Sequence, residues 1–191
     1  MSKDWMLTHT RKQVYPLAFK AEDVHLDDIA NSLAKQCRYN GHVDNFYSVA
    51  EHSVLISLAL ERDGYDNMTQ FTGLHHDDAE CYTGDIIKPL KNALADAGLS
   101  LKKYELDIEE KISQSLGMDW PWPEVVHGYD RMIVRDEKDA LKRGGPGWED
   151  FGVPNKGLGV RINCWDWQEA AQMFLNRHNA LRFRARFNAG S

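Results

Sequence analysis

The chain has 191 residues, 42% of them apolar and 27% charged, which suits one compact domain with a sizeable core and argues against two full domains. Its 23 Lys plus Arg against 29 Asp plus Glu give a net charge of −6, the wrong sign for holding duplex DNA through its phosphates, so nucleic acid is not an expected partner. No apolar run approaches the roughly 20 residues that span a bilayer, and the opening MSKDWMLTHTRKQ lacks a signal peptide's apolar core, so the expected setting is cytoplasmic, with no membrane contact.

Residues 1–21 mix aromatics, Lys, Arg and Pro16 without helical period and are expected to form a short extended segment or hairpin. The main domain is expected over 22–185, with a fraying tail over 186–191. In EDVHLDDIANSLAKQ, Val24, Leu26, Ile29, Ala30 and Leu33 share a face, predicting an amphipathic helix that ends before Cys37. The polar turn RYNGHVDN follows. Ser48 opens S-V-A-E, where its hydroxyl can cap Glu51 N–H while the Glu51 carboxylate reaches back, so a helix is expected to about Arg62.

Thr69 is read as the cap of a further helix, one that carries Phe71, Leu74 and the whole string HHDDAECY before stopping near Thr83 and Gly84. Pro89 is placed to open a short helix to Gly98. Ser100 is read as the cap of a longer one with a stripe of Leu101, Tyr104, Ile108, Ile112 and Leu116, ended by Gly117. Residues 124–143 predict another helix, with Val126, Tyr129, Asp130, Ile133 and Glu137 near one side, until Gly144 and Gly145. A Gly- and Pro-containing loop over 144–163 precedes a last helix, capped by Asp166 and running to about Phe183. The sum is an all-α domain, a single bundle of about six or seven helices. Cys37, Cys81 and Cys164 are scattered, odd in number and without C-x-x-C spacing, so they are expected to be small buried thiols rather than disulfides. The WPW and WDW pieces are expected to serve helix packing or subunit contact.

A His-Asp dipeptide alone says little. Here His52 falls early on one predicted helix, His76 and Asp77 on a second and Asp130 on a third, within apolar stripes where an unpaired charge is costly. Each residue taken singly reads as a hydrogen-bonded His, a cap or a solvated Asp; their grouping points to a cation. Two imidazoles and two carboxylates suit a divalent transition metal such as Co, Mn, Zn, Fe or Ni, with positions left for water and substrate. An acidic chain that takes a polyanionic substrate needs local positive charge, and Arg38, Lys88 and Lys91 are the candidates, with solvated or structural roles as the alternative. Tyr39, Asn40 and His42 sit in a turn that either borders a nucleoside pocket or merely packs.

The segments CRYNGHVDNFYSVAEHS (37–53), LHHDDAECYTGDIIKPLK (74–91) and YDRMIVRDEKDAL (129–141) resemble the HD-domain metal phosphohydrolases over roughly residues 10–185. Within that family the likeness is to bacterial 5′-deoxynucleotidases and phage dATP triphosphohydrolases. The resemblance implies that His52, His76, Asp77 and Asp130 ligate the metal. It makes Glu80 the acid/base carboxylate, Asp85 a second acid that aids proton transfer or holds the substrate, and Arg38 a phosphate-binding residue. The doublet makes His75 and Asp78 rivals in register; only His76-Asp77 is adjacent in the required order with Glu80 three residues on, so the rivals are expected to support or pack. Asp136 and Asp139 compete with Asp130 and are expected to be solvated. The implied activity is divalent-metal-dependent hydrolysis of 2′-deoxynucleotide phosphates, dATP to deoxyadenosine first. The alternatives are a 5′-deoxynucleotidase acting on dNMPs and a nucleotide sensor without turnover. Family likeness and the Trp-bearing surfaces lead us to expect a homo-oligomer.

Overall fold

A computed structural model describes residues 4–141 and 152–188, with side chains described as far as 184. Among the described residues the fold is helical, with α1 Leu26–Lys35, α2 Val49–Arg62, α3 Asn67–His75, the single turn α4 Glu80–Thr83, α5 Lys88–Asp96, α6 Lys102–Leu116, α7 Glu124–Ala140 and α8 Trp167–Asn188. This is the expected all-α bundle. The N-terminal segment makes a small antiparallel hairpin, β1 Met6–Leu7 against β2 Gln13–Val14, with Met6 opposite Val14. Buried Asp28 accepts both the backbone N–H and the hydroxyl of Thr10, which fastens the hairpin to α1.

The bundle is built around α2. Of residues 49–60 only Leu58 is exposed, as expected of a helix apolar nearly all round, and α1, α3, α7 and α8 pack on it. One core joins Ile29 and Leu33 of α1, Val54 of α2, Phe71 and Leu74 of α3, and Phe174 and Leu181 of α8. A second joins Ile56 and Leu60 of α2 to Val126 and Ile133 of α7. Where α2 and α3 meet, a Cβ at Gly73 would lie 2.4 Å from Leu60 Cδ1; the small residue lets the two helices approach closely just before His76.

Several local expectations need correction. The α3 helix is capped by Asp66, whose Oδ1 accepts Thr69 N–H at 2.7 Å, so Thr69 is inside the helix. The string HHDDAECY is not one helix. At His76 the ladder tightens to i→i+3 bonds, Asp78 N to His75 O, Glu80 N to Asp77 O and Cys81 N to Asp78 O. The physical cause is local: His76 Nδ1 donates to Gly73 O at 3.0 Å, taking a carbonyl near the helix end with a side chain.

The first helix begins at Leu26 after a 3-10 turn over Ala21–Asp23, not at Glu22. Ser100 does not cap α6, which starts at Lys102 without a side-chain cap, and its expected apolar stripe is buried only at Ile108 and Ile112, with Tyr104 41% exposed. Ser48 Oγ does accept Glu51 N–H at 3.1 Å, but the Glu51 carboxylate does not reach back. It turns across the bundle to accept the backbone N–H groups of Asn163, Cys164 and Trp165. Asp166 caps α8 through Glu169 N–H at 2.8 Å, and that helix runs past Phe183 to Asn188. The α7 helix ends at Ala140 with Leu141 as its C-cap, short of the expected 143; residues 142–143, the glycines Gly144 and Gly145 and the first part of the following loop fall outside the described residues, as does the last part of the tail. Cys81 is buried; Cys37 and Cys164 are only partly so, and all three are free. Trp122 packs as expected, its indole N–H on Ser113 Oγ at 2.9 Å. No helix among the described residues is long and apolar enough to cross a membrane.

Candidate metal centre

Three helices and one turn bring the expected ligands together. His52, in the first turn of α2, is fully buried, and His76 and Asp77 leave the broken end of α3 beside it. Asp130, midway along α7, completes the set. His52 Nε2 lies 3.3 Å from His76 Nε2, 3.2 Å from Asp130 Oδ1 and 3.4 Å from Asp77 Oδ2. His76 Nε2 lies 3.3 Å from Asp77 Oδ1 and 3.8 Å from Asp130 Oδ1. His52, His76 and Asp130 can hold a metal ion, one ligand atom of each lying within 4.8 Å of the others. The Asp130 side chain remains 40% exposed, which opens the cluster to solvent on that side.

The outer nitrogens of the two rings decide what the inner ones offer. His52 Nδ1 is 2.7 Å from Glu137 Oε1, and His76 Nδ1 is 3.0 Å from the Gly73 carbonyl. Both partners are acceptors, so each ring carries its N–H on Nδ1 and turns an Nε2 lone pair inward. Two lone pairs 3.3 Å apart, with carboxylates beside them, repel unless a cation stands among them. That donor chemistry fits a divalent transition ion. In its absence a proton meets the same need. Burial disfavours a charged His76, yet Asp77 and Asp130 outweigh it and lift the ring to about 9. His52 is raised too: burial and Arg38 oppose its charge, and Glu137 and Asp130 prevail. Burial likewise works against the Asp130 charge, but hydrogen bonds from the two imidazoles hold its carboxyl well below the usual range.

Glu137 is the residue that sequence reasoning left without a role. Fully buried on α7, it receives His52 through Oε1, the Tyr39 hydroxyl through Oε2, and Arg38 Nε at 3.3 Å from Oε1. Burial opposes its ionisation, but Arg38 and His52 hold it down to about 2. The available signal was its spacing, seven residues after Asp130 and so two turns along the same face. Arg38 Nη1 also reaches Asp77 Oδ2 at 3.5 Å, so the expected phosphate-binding guanidinium does stand at the cluster. Its turn is strained: Tyr39 and Asn40 have φ of 59° and 57°, a left-handed conformation costly for residues with a Cβ.

Glu80 and Asp85 both stand near Asp77. Gln36 ties them to the end of α1, donating to Glu80 O at 3.0 Å and accepting Asp85 N–H at 2.9 Å. Burial, with Asp77 and Asp85 nearby, pushes the Glu80 carboxyl well above its usual range, and its Oε2 has no hydrogen-bond partner. Burial also raises Asp85. Glu109 of α6, unmarked in the sequence, joins this acidic group; burial and the charge of Asp77 push it up to about 7. Lys91 pairs with Glu105 at 2.8 Å. Lys88, Asn40 and His42 are exposed and take no part in the contacts that join the cluster.

The rivals fall elsewhere. His75 and Asp78 face α8 and bond to each other at 2.6 Å. Asp139 pairs with Arg135 on the surface of α7, as expected of a solvated charge. Asp136 is not solvated as expected: it accepts the backbone N–H groups of Leu158 and Gly159 and braces the segment after the loop.

No family model matches the chain. It is 26% identical to the uncharacterized protein RCAP_rcc00048 of Rhodobacter capsulatus, in an alignment covering 95% of this chain and 97% of that protein. It is 38% identical over 148 residues to the uncharacterized protein YfdR of Escherichia coli (strain K12), covering 77% of this chain and 79% of YfdR. An identity of that level over so much of both proteins means that the chain belongs to the same family as YfdR.

Proposed function

We propose that the chain is an HD-domain-type phosphohydrolase that uses a divalent transition metal, held by His52, His76, Asp77 and Asp130, to hydrolyse 2′-deoxynucleotide phosphates, dATP first. The observation that carries this reading is the pair of inward-facing Nε2 atoms of His52 and His76, 3.3 Å apart and flanked by two carboxylates. A divalent ion bound there supplies positive charge that acidifies water near neutral pH and offsets charge on phosphoryl oxygens.

The chain's own groups supply the rest. Glu80, whose carboxyl is pushed above its ordinary range by burial and by Asp77 and Asp85, is suited to give a proton to the leaving oxygen and to take one back from water in the next cycle. The planar fork of Arg38, 12% exposed at the side chain, is suited to two bonds with one phosphate group, exchanging Asp77 for it. Lys91 is suited to more distal phosphates after leaving Glu105, and exposed Lys88 to the end of a triphosphate chain. Tyr39 stands next to Arg38, where its ring can border the sugar and base. Phosphate ester hydrolysis is among the slowest uncatalysed reactions, so positioning and charge must act together.

The test is to load purified protein with cobalt, manganese or zinc, incubate it with each dNTP and dNMP, and separate the products. Deoxyadenosine and triphosphate from dATP support the proposal. Release of phosphate from dNMPs alone makes the chain a 5′-deoxynucleotidase, and no turnover with retained nucleotide binding makes it a sensor. Glu80→Gln should slow hydrolysis by about 10²–10⁴-fold while metal stays bound; an unchanged rate would remove Glu80 from the mechanism.

A further inference from the structure

Behind the metal-facing side of the broken helix lies a second polar array. His178 of α8, 8% exposed, places Nδ1 at 2.9 Å from Nε2 of fully buried His75, whose Nδ1 is 2.6 Å from Asp78 Oδ2. The rings of Phe71 and Phe174 close around His75, with centroids 4.5 and 5.3 Å from it, and Phe71 also packs on His178 at 5.2 Å. His75 bridges the other two: its Nε2 shares one hydrogen bond with His178 Nδ1, and its Nδ1 shares another with Asp78 Oδ2. Burial, with His75 beside it, depresses His178 to about 3, in keeping with a neutral ring.

The sequence places this array where it matters. His75 and Asp78 bracket His76 and Asp77, and the backbone that leads from α3 into α4 is closed by i→i+3 bonds from Asp78, Glu80 and Cys81 N–H to His75, Asp77 and Asp78 O. A short turn carrying two ligands needs support from outside its own backbone. We propose that His178 is a positioning residue for the metal centre: through His75 and Asp78, α8 fixes the turn that presents His76 and Asp77. This rests on the reading of His52, His76, Asp77 and Asp130 as metal ligands.

The experiment measures manganese affinity and the visible spectrum of the cobalt-loaded protein in four variants. His178→Leu should weaken manganese binding about tenfold, the low end for an outer-shell partner, and shift the cobalt bands. His178→Asn keeps an N–H close to the Nδ1 position and should restore most of both. His178→Gln carries its amide one carbon farther out and should not. Leu181→Ala, a buried change one turn beyond His178 on the same helix, should lower the melting temperature and leave the spectrum alone. Wild-type affinity and spectrum in His178→Leu would overturn the proposal, as would a Leu181→Ala variant that reproduces the shift. If His178→Leu does not fold, equal affinities in the Asn and Gln variants overturn it instead. Failure of the wild-type protein to bind either ion would sink the metal reading itself and this proposal with it.

Discussion

His75 and Asp78 face α8, where a hydrogen-bonded chain through His178 and a wall of aromatic rings enclose them. His76 and Asp77, between them in the sequence, face α2 and α7, where lone pairs and carboxylates crowd one point that opens to solvent at Asp130. The two pairs have the same chemical composition. The outer pair uses up most of its polar capacity inside the fold, so its work is cohesion. The inner pair keeps Nε2 and carboxylate oxygens aimed at a shared space, so it contributes binding capacity and costs stability until a cation arrives.

The largest effects should separate the pairs. His75→Ala leaves the Asp78 carboxylate buried without its ring partner and should cost about 3–5 kcal/mol, measured by urea unfolding of metal-free protein. Measured above about pH 9, where the His76 ring is neutral, His76→Ala should change that stability by no more than about 1 kcal/mol, because it removes a repulsive contact along with a hydrogen bond. Its manganese affinity should nonetheless fall by more than about 100-fold, beyond the loss typical of an outer-shell partner. Equal destabilisation by the two substitutions would erase the contrast.

Glu137→Gln sharpens the comparison on the inner side. The amide can present an N–H to His52 Nδ1 and turn that ring's N–H inward, so calorimetry should show metal affinity reduced by about 10–100-fold. Unchanged affinity would reduce Glu137 to a packing group.

A pH slope sharpens the comparison further. In metal-free protein His76 is lifted to about 9, so below that pH it carries a proton that an incoming ion must displace. Manganese affinity should therefore rise about tenfold per pH unit from about pH 6 towards 9 and then level off. The direction follows from the sign of the shift, since a raised His pKa makes the proton a stronger competitor at neutral pH. A flat profile over that range would mean that His76 is already neutral.

Much of the site was legible because its signals are local. The S-x-x-E start at Ser48 placed His52 in a first helical turn, and the apolar spacing around Asp130 placed it on a helix beside the core. For the doublet, residue type and spacing left the register open, and only the resemblance to the HD pattern, with Glu80 three residues after Asp77, favoured His76-Asp77. What escaped the sequence involves long-range partners. Glu51 fits a capping box by spacing, yet its carboxylate is taken by backbone N–H groups more than a hundred residues away. Asp136 looks like a surface charge on α7 until the returning segment supplies donors from Leu158 and Gly159. Thr69 suits a cap by residue type, yet its own N–H is taken by the Asp66 carboxylate three residues earlier.

Composition and periodicity by themselves determined the helical class and the approximate span of most helices, because side-chain chemistry and helical period are properties of neighbours along the chain. Tertiary structure alone decided which way each His and Asp of the doublet points, that Glu137 orients His52, and that His178 stands behind His75. The reason is that a side chain's free hydrogen-bonding capacity is what remains after the rest of the fold has taken its share, and that share comes from helices distant in sequence.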